Sequence, residues 1–393
     1  MPQVEIRSIT GPELLDISIM LRGYAFWGTP PLPPTSEMED ELSGDTGSTN
    51  LALFEDGQPQ AVVAYMPMTQ HLRGQVLNVA GVWGVATHPA GRRQGYARQA
   101  LHELFQAMRR EEMPFTILYP FRESFYERLG YVTFPRAKKV RFPVNGLTPL
   151  LKRSYGGKDE FLSYQAGFEQ WRSYLKETQT RIPGMSLVND ALAGKNVSKQ
   201  NYWLAFAKVN GQVEGAMAYK LKGDHGDMVV SRFYYHTAQG LYLLLEWIAR
   251  HADQASHVEL KLPPNELPET WLADLDVELG SYWPGMARVL DLTRVNEAGL
   301  QVGPGRFTAH IHDSQCPWNE GIFTFEEKEG RLSVTPGEKP DCELSIQALS
   351  GLLYGTHRPN VFAMRGWGNP SPETQAAMKS LFPPQIPYLH EVF

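Results

Sequence analysis

One stretch constrains the fold more than any other: VWGVATHPAGRRQGYARQALHELFQAM, residues 82–108. A strand-like run, VWGVATHP, enters a tight turn, GRRQGYAR. Beyond it, Ala97, Ala100, Leu101, Leu104, Phe105 and Met108 fall at i, i+3, i+4, i+7, i+8 and i+11. That spacing predicts an amphipathic helix whose apolar face runs for three turns. Strand, turn and helix in this order make the chain mixed α/β. The turn also has a chemistry. A helix that starts directly after a strand presents free backbone N–H groups, and its dipole favours anions there. Gly95 permits close backbone approach or an unusual dihedral, and small Ala97 keeps the first helical turn open. Arg92 and Arg93 add charge-assisted hydrogen bonds suited to a pyrophosphate. Neither G-x-G-x-x-G nor G-x-x-x-x-G-K-[ST] is present, so NAD and ATP are not the first choices, and coenzyme A is the remaining familiar user.

The surrounding pattern agrees. GPELLDISIMLRGYAF predicts a helix or two, followed by the proline- and acid-rich loop WGTPPLPPTSEMEDELSGDTGS. From Asn50, three successive antiparallel strands are punctuated by Asp56-Gly57 and Arg73-Gly74. After the long helix, MPFTILYP reads as a buried strand, SFYERLGY as a short helix and VRFPV as a closing strand. The same order recurs further on: a hairpin turning at Asn210-Gly211, the strand DMVVSRFYY, a helix in TAQGLYLLLEWIARHA and the strand SHVELKLP. Where the first unit has HPAGRRQGYA, this one has YYHTAQGLYL, without the arginine pair. From Met286 onward, several short strands and helices predict a small strand-rich domain. The apolar ending IPYLHEVF predicts a docked terminus. Three domains are expected, at about 1–150, 151–285 and 286–393.

At 393 residues the chain is too long for one core. Its net charge of −6 argues against a general nucleic-acid binder and is friendly to cationic substrates. No apolar run reaches a membrane span, the start lacks a signal-peptide layout, and Cys316 and Cys342 make no framework, so a cytoplasmic protein is expected.

VATHPAGRRQGYA, with FYERLGY about thirty residues on, resembles the acetyl-CoA motif of the GNAT N-acetyltransferases, in which a strand precedes [RQ]-x-x-G-x-[GA]. Arg92, Gly95 and Ala97 occupy its defining positions. The whole chain resembles the Eis (enhanced intracellular survival) acetyltransferases. That resemblance implies tandem GNAT-like domains, the second degenerate, plus a C-terminal domain similar to sterol carrier proteins. It further implies acetyl-CoA as donor, small-molecule amine acceptors of the aminoglycoside or polyamine kind, and a homohexamer. No metal, nucleic acid or membrane partner is implied.

Acetyl transfer needs a neutral amine, a polarised carbonyl and a protonated leaving thiolate. By resemblance, the backbone of Val85, Ala86 and Thr87 would pair with the pantetheine arm like an added strand. The turn from Arg92 and Arg93 through Gln94, Gly95, Tyr96 and Ala97 would hold the pyrophosphate, with Phe121 and Arg122 as further cofactor contacts. Tyr126 matches the family's general acid, and a phenol stays protonated until a thiolate forms nearby. As a core residue it would instead pack beside Phe125 and Tyr131. For the base, the resemblance points to the terminal carboxylate of Phe393, with His88 and His390 as alternatives. Phe26, Trp27, Glu37 and Glu391 are candidates for the acceptor, since aromatic faces and carboxylates attract ammonium groups. Glu37, Glu39, Asp40 and Glu41 of the acidic loop are also plausible carboxylates for the base. The other readings are a protein-lysine acetyltransferase and a non-catalytic acyl-CoA or lipid-binding protein.

Overall fold

In the computed structural model, residues 3–31, 36, 47–195, 197–223, 225–391 and 393 are described. In chain order the strands begin with β1 (Val4–Ser8), β2 (Thr49–Glu55), β3 (Gln58–Leu72), β4 (Gln75–Thr87), β5 (Phe115–Leu118) and β6 (Val132–Thr133). Next come β7 (Lys138–Pro143), β8 (Lys158–Ser163), β9 (Ser186–Val188), β10 (Trp203–Val209) and β11 (Gln212–Leu221). β12 (Met228–Tyr235), β13 (His257–Leu262), β14 (Glu278–Ser281) and β15 (Met286–Val289) come after them. The last are β16 (Arg306–His312), β17 (Gly321–Lys328), β18 (Arg331–Pro336) and β19 (Cys342–Ser345).

Two compact units result, one of Met1–Phe134, Ser186–Ala191 and Gly285–Phe393, the other of Pro135–Met185 and Leu192–Pro284. In the first, one sheet runs β1-β2-β3-β4-β5-β15-β6 with β9 on β3, and a second, smaller one runs β18-β17-β16-β19. The other unit holds the sheet β14-β7-β13-β12-β11-β10-β8. Three hairpin turns form where their sequences demand them. Asp56-Gly57, Arg73-Gly74 and Asn210-Gly211 all have positive φ at both residues, as the tight turn that matches strand twist requires.

Helix α1 (Gly11–Ile17) passes directly into a π-helix, Ser18–Trp27. Helix α2 (Tyr96–Arg110) buries Ala100, Leu101, Leu104, Phe105 and Met108, the stripe read from its spacing, against β2, β3 and β4. Helix α3 (Glu123–Glu127) comes after β5. In the second unit, α4 (Ala238–Ala249) covers the sheet with Leu241, Leu244, Leu245 and Ile248.

Two strands lie elsewhere than the sequence suggested. VRFPV does not close the first sheet: β7 pairs antiparallel with β13 and β14 of the second. The place beside β5 is taken by β15, read from sequence as the start of the C-terminal region, which pairs Met286 with Leu118 and Val289 with Phe115. Both runs are apolar enough for either sheet, so local pattern cannot choose between partners so distant in sequence.

A buried ion pair joins β15 to the smaller sheet's end of the chain. Arg288 is fully buried, bonds to Asp313 and Leu129 O, and lies 4.9 Å from the Phe105 ring centroid. Arg73, also buried, donates to Leu353 O and Leu352 O at 2.7 and 2.8 Å. The C-terminal residues are docked, with Tyr388 2% and Leu389 4% exposed, while Ile386 stays outside.

Candidate active site

β4 and β5 run parallel, but they pair only at Ala80↔Thr116, Gly81↔Ile117 and Val82↔Leu118. Just beyond, β4 is bulged. Its register against β3 passes from Ala64↔Trp83 to Val62↔Ala86, so Gly84 and Val85 stand opposite Val63 alone. Bulges bend a strand and raise its twist. Among the described residues, no strand pairs with 83–87 on the β5 side. Val85, Ala86 and Thr87 therefore form an open edge that an extended ligand can extend by strand addition.

A residue that motif reading missed holds this bulge. Arg22, 3% exposed on the π-helix, donates from Nε to Gly84 O (3.0 Å), from Nη1 to Ser18 Oγ (3.0 Å) and from Nη2 to Asn50 Oδ1 (2.9 Å). Its guanidinium lies 4.4 Å from the Trp83 ring centroid. Gly84 has φ of +59°, and a Cβ there would come within 2.5 Å of Arg22 Nε, so only glycine suits both the dihedral and the approach. Burial lowers the Arg22 pKa to about 9, which leaves it charged at neutral pH. An isolated apolar-flanked arginine carried no pattern to mark it in the sequence.

The open edge leads into the arginine turn. His88 accepts a hydrogen bond from Ala90 N through Nδ1, so that ring nitrogen is engaged in the turn itself. Arg92, Arg93 and Gln94 are exposed. Gly95 is the N-cap of α2 in the left-handed conformation (φ 87°) and gives no side-chain cap, which leaves the first N–H groups of the helix for a ligand. Tyr96 is turned inward and donates to Glu55 at 2.5 Å. Ala97 is half-buried. Arg92 stacks 5.4 Å from the ring centroid of Tyr24, on the same π-helix that presents Phe26 and Trp27 at 58% and 40% exposure. Glu37 and the loop acids Glu39, Asp40 and Glu41 lie outside the described residues.

Beyond β5, Tyr126 on α3 is buried, with its ring 5.6, 5.0 and 5.8 Å from Phe121, Phe125 and Tyr131. Burial pushes its phenol well above the ordinary tyrosine value. Phe121 is 66% exposed, and Arg122, at the N-cap position of α3, donates from Nε to Ser124 Oγ at 3.0 Å.

The chain terminus meets the fork. The Phe393 ring lies 5.9 Å from that of Tyr119, whose hydroxyl donates to Leu389 O at 3.0 Å. A Cβ on Gly81 would come within 2.9 Å of the Phe393 ring, so glycine in β4 makes room for the last residue where β4 and β5 part. Glu391 is half-buried, with Oε1 3.9 Å from Nε2 of buried His390.

Known protein families match the chain in three stretches. Residues 5–134 match a family model described as an acetyltransferase (GNAT) domain, and residues 186–289 match a second GNAT-domain model. Residues 288–390 match a sterol carrier protein domain. No curated protein matches the chain in sequence. Among solved structures, a conserved protein of unknown function from Enterococcus faecalis V583, described as a probable N-acyltransferase, is 19% identical, with all of both chains covered and a TM-score of 0.86. A GCN5-related N-acetyltransferase from Anabaena variabilis ATCC 29413 gives 15% identity over all of both chains and a TM-score of 0.87. Eis1 from Mycobacterium abscessus gives 16%, again over all of both chains, with 0.80. At these identities the likeness is one of fold. With the domain matches and the end-to-end architecture together, the chain belongs to the GNAT N-acetyltransferases, as a tandem-GNAT member with a sterol-carrier-like C-terminal domain and an Eis-like fold.

Proposed function

We propose that the chain acetylates amines of aminoglycoside- or polyamine-like acceptors with acetyl-CoA as donor, through modules at about 1–150, 151–285 and 286–393. The observation that carries this reading is the open β4 edge running into the uncapped, arginine-flanked start of α2. The residues fit the donor: Val85, Ala86 and Thr87 offer backbone hydrogen bonds to its amide-bearing arm, and Arg92, Arg93 and the N–H groups after Gly95 offer charge and donors to its pyrophosphate. Gln94, Tyr96, Ala97, Phe121 and Arg122 complete the proposed donor contacts. The donor supplies an activated acetyl group when bound.

Tyr126 serves as general acid. Burial keeps its hydroxyl protonated at neutral pH, so a proton is in place when a thiolate forms, and the same burial makes the phenol a weaker acid than a free tyrosine. The terminal carboxylate of Phe393 serves as general base; docking of its ring at the fork of β4 and β5 supports this. Exposed Phe26 and Trp27, together with Glu37 and Glu391, draw the cationic acceptor. The middle lobe binds no donor, and six copies assemble, which light scattering on the purified chain checks.

Release of free CoA thiol, measured with acetyl-CoA and a panel of aminoglycosides, polyamines and lysine peptides, tests the acceptor class. Acetylation confined to peptides would replace the small-molecule reading with a protein-lysine one. Adding a few residues after Phe393 should lower kcat at least tenfold if the terminal carboxylate takes the proton. Full activity in the extended chain removes that group from the mechanism.

A further inference from the structure

A cluster far from the fork has a different chemistry. His310 and His312 lie two apart on β16, so both side chains leave the same face of the smaller sheet. Their ring centroids are 4.3 Å apart. Glu320, just before β17, supplies a third group, and the ligating atoms of the three lie within 4.8 Å of one another. We propose that these residues bind a divalent transition-metal ion, with Zn²⁺ the best-matched, on the C-terminal domain.

The geometry is close to what an ion needs. Bonds of about 2.0–2.1 Å in a tetrahedron put ligand atoms roughly 3.4 Å apart. Glu320 Oε2 and His312 Nδ1 already stand 3.5 Å apart. The surroundings orient both ligands. Asp313 N–H donates to Glu320 Oε1 at 2.6 Å, which fixes the carboxylate while Oε2 faces the ring. On the far side of His312, Glu343 Oε2 lies 3.8 Å from Nε2, beyond hydrogen-bond length. A small side-chain shift that closed this gap, with Nδ1 on the metal, would give the carboxylate–histidine–metal arrangement that tunes ligating imidazoles. His310, among the described residues, makes no hydrogen bond or ion pair that would compete for its ring nitrogens.

Donor type sets the ion. Two imidazole nitrogens and one carboxylate suit Zn²⁺ and its borderline neighbours, while Mg²⁺ and Ca²⁺ prefer oxygen alone. With three protein ligands on a half-exposed face, a water or another group would complete the shell. The site is one residue from Asp313, the partner of buried Arg288, so ligation would stiffen the segment that carries that ion pair.

The test uses the full chain, free of affinity tag and stripped by chelator. Titration with ZnCl₂ by calorimetry, and with Co²⁺ by visible absorption, should show one saturable site per chain and a Co²⁺ band of low-symmetry intensity. His310→Ala and His312→Ala should each weaken binding at least tenfold, and Glu343→Gln by less, with circular dichroism unchanged because the three ligands are not core residues. Zn²⁺ should raise the melting temperature of the wild type but not of the double histidine variant, and MgCl₂ should raise neither. No saturable uptake by the wild type, or equal uptake and affinity in the double variant, overturns the proposal.

Discussion

The two GNAT lobes share a bulged central strand and differ at its end. In the first, Gly84 and Val85 face Val63 alone; in the second, Ser231 is the extra residue between the pairs Tyr219↔Val230 and Ala218↔Arg232. In both, the parallel neighbour stops early: β5 reaches only Val82, and β13 only Val230. The fork is therefore a property of the fold rather than of the site. The helix start beyond the fork is not shared. Gly95 leaves α2 uncapped, whereas Thr237 caps α4 by accepting from Gly240 N. Where the first lobe has exposed Arg92 and Arg93, the second has Gln239, whose amide donates to Tyr155 O and Gly156 O at 2.6 Å. Even the bulges are held differently, by a buried cation on Gly84 O and by the Ser231 hydroxyl 3.4 Å from Ala218 O. On the proposed reading, an open strand edge becomes a donor site only where a helix start with spare donors and positive charge lies at its end.

The largest effect expected is on chemistry. Tyr126→Phe should lower kcat by about 10²- to 10⁴-fold with donor affinity unchanged, while Tyr235→Phe, which removes a hydroxyl already bonded to Glu266, should leave kcat within twofold. Equal loss of donor affinity in Tyr126→Phe would mark the residue as packing only. Because burial raises the Tyr126 pKa, its acid form persists as pH rises, so it should impose no alkaline limb below about pH 10. Replacing Arg92 and Arg93 together with alanine should weaken acetyl-CoA roughly 10- to 100-fold by calorimetry. The wild-type stoichiometry should be one per chain, and two would break the contrast between the lobes.

Stability changes sharpen the same contrast. Arg22→Leu leaves Gly84 O and Asn50 Oδ1 without their donor and should cost about 3 kcal/mol in denaturant unfolding. Ser231→Ala should cost less than about 1 kcal/mol, because its bond is long. Thr237→Ala should likewise cost about 1 kcal/mol or less through the lost cap and leave acetylation unchanged. A loss of activity there would give the second lobe a catalytic part.

The candidate residues that the sequence marked lie close together along the chain. The arginine turn, Gly95 and the helix stripe lie within one strand-turn-helix segment, and Tyr126 in a short helix soon after. Arg22 was not legible, since its partners Gly84 and Asn50 are 62 and 28 residues away. Nor was the His310, His312 and Glu320 cluster, whose members take meaning only once β16 and the start of β17 are paired.

The sequence by itself determined the turns at Asp56-Gly57, Arg73-Gly74 and Asn210-Gly211, the amphipathic face of α2 and the asymmetry between HPAGRRQGYA and YYHTAQGLYL. Positive φ, helical period and backbone donors are set by neighbours along the chain. Only the tertiary structure decided that β15 rather than β7 completes the first sheet, that Arg22 clamps the bulge, and that Phe393 reaches the fork beside Gly81 and Tyr119. Those outcomes rest on pairings over tens to hundreds of residues, where many apolar strands compete for one edge and only packing of the whole unit selects the winner.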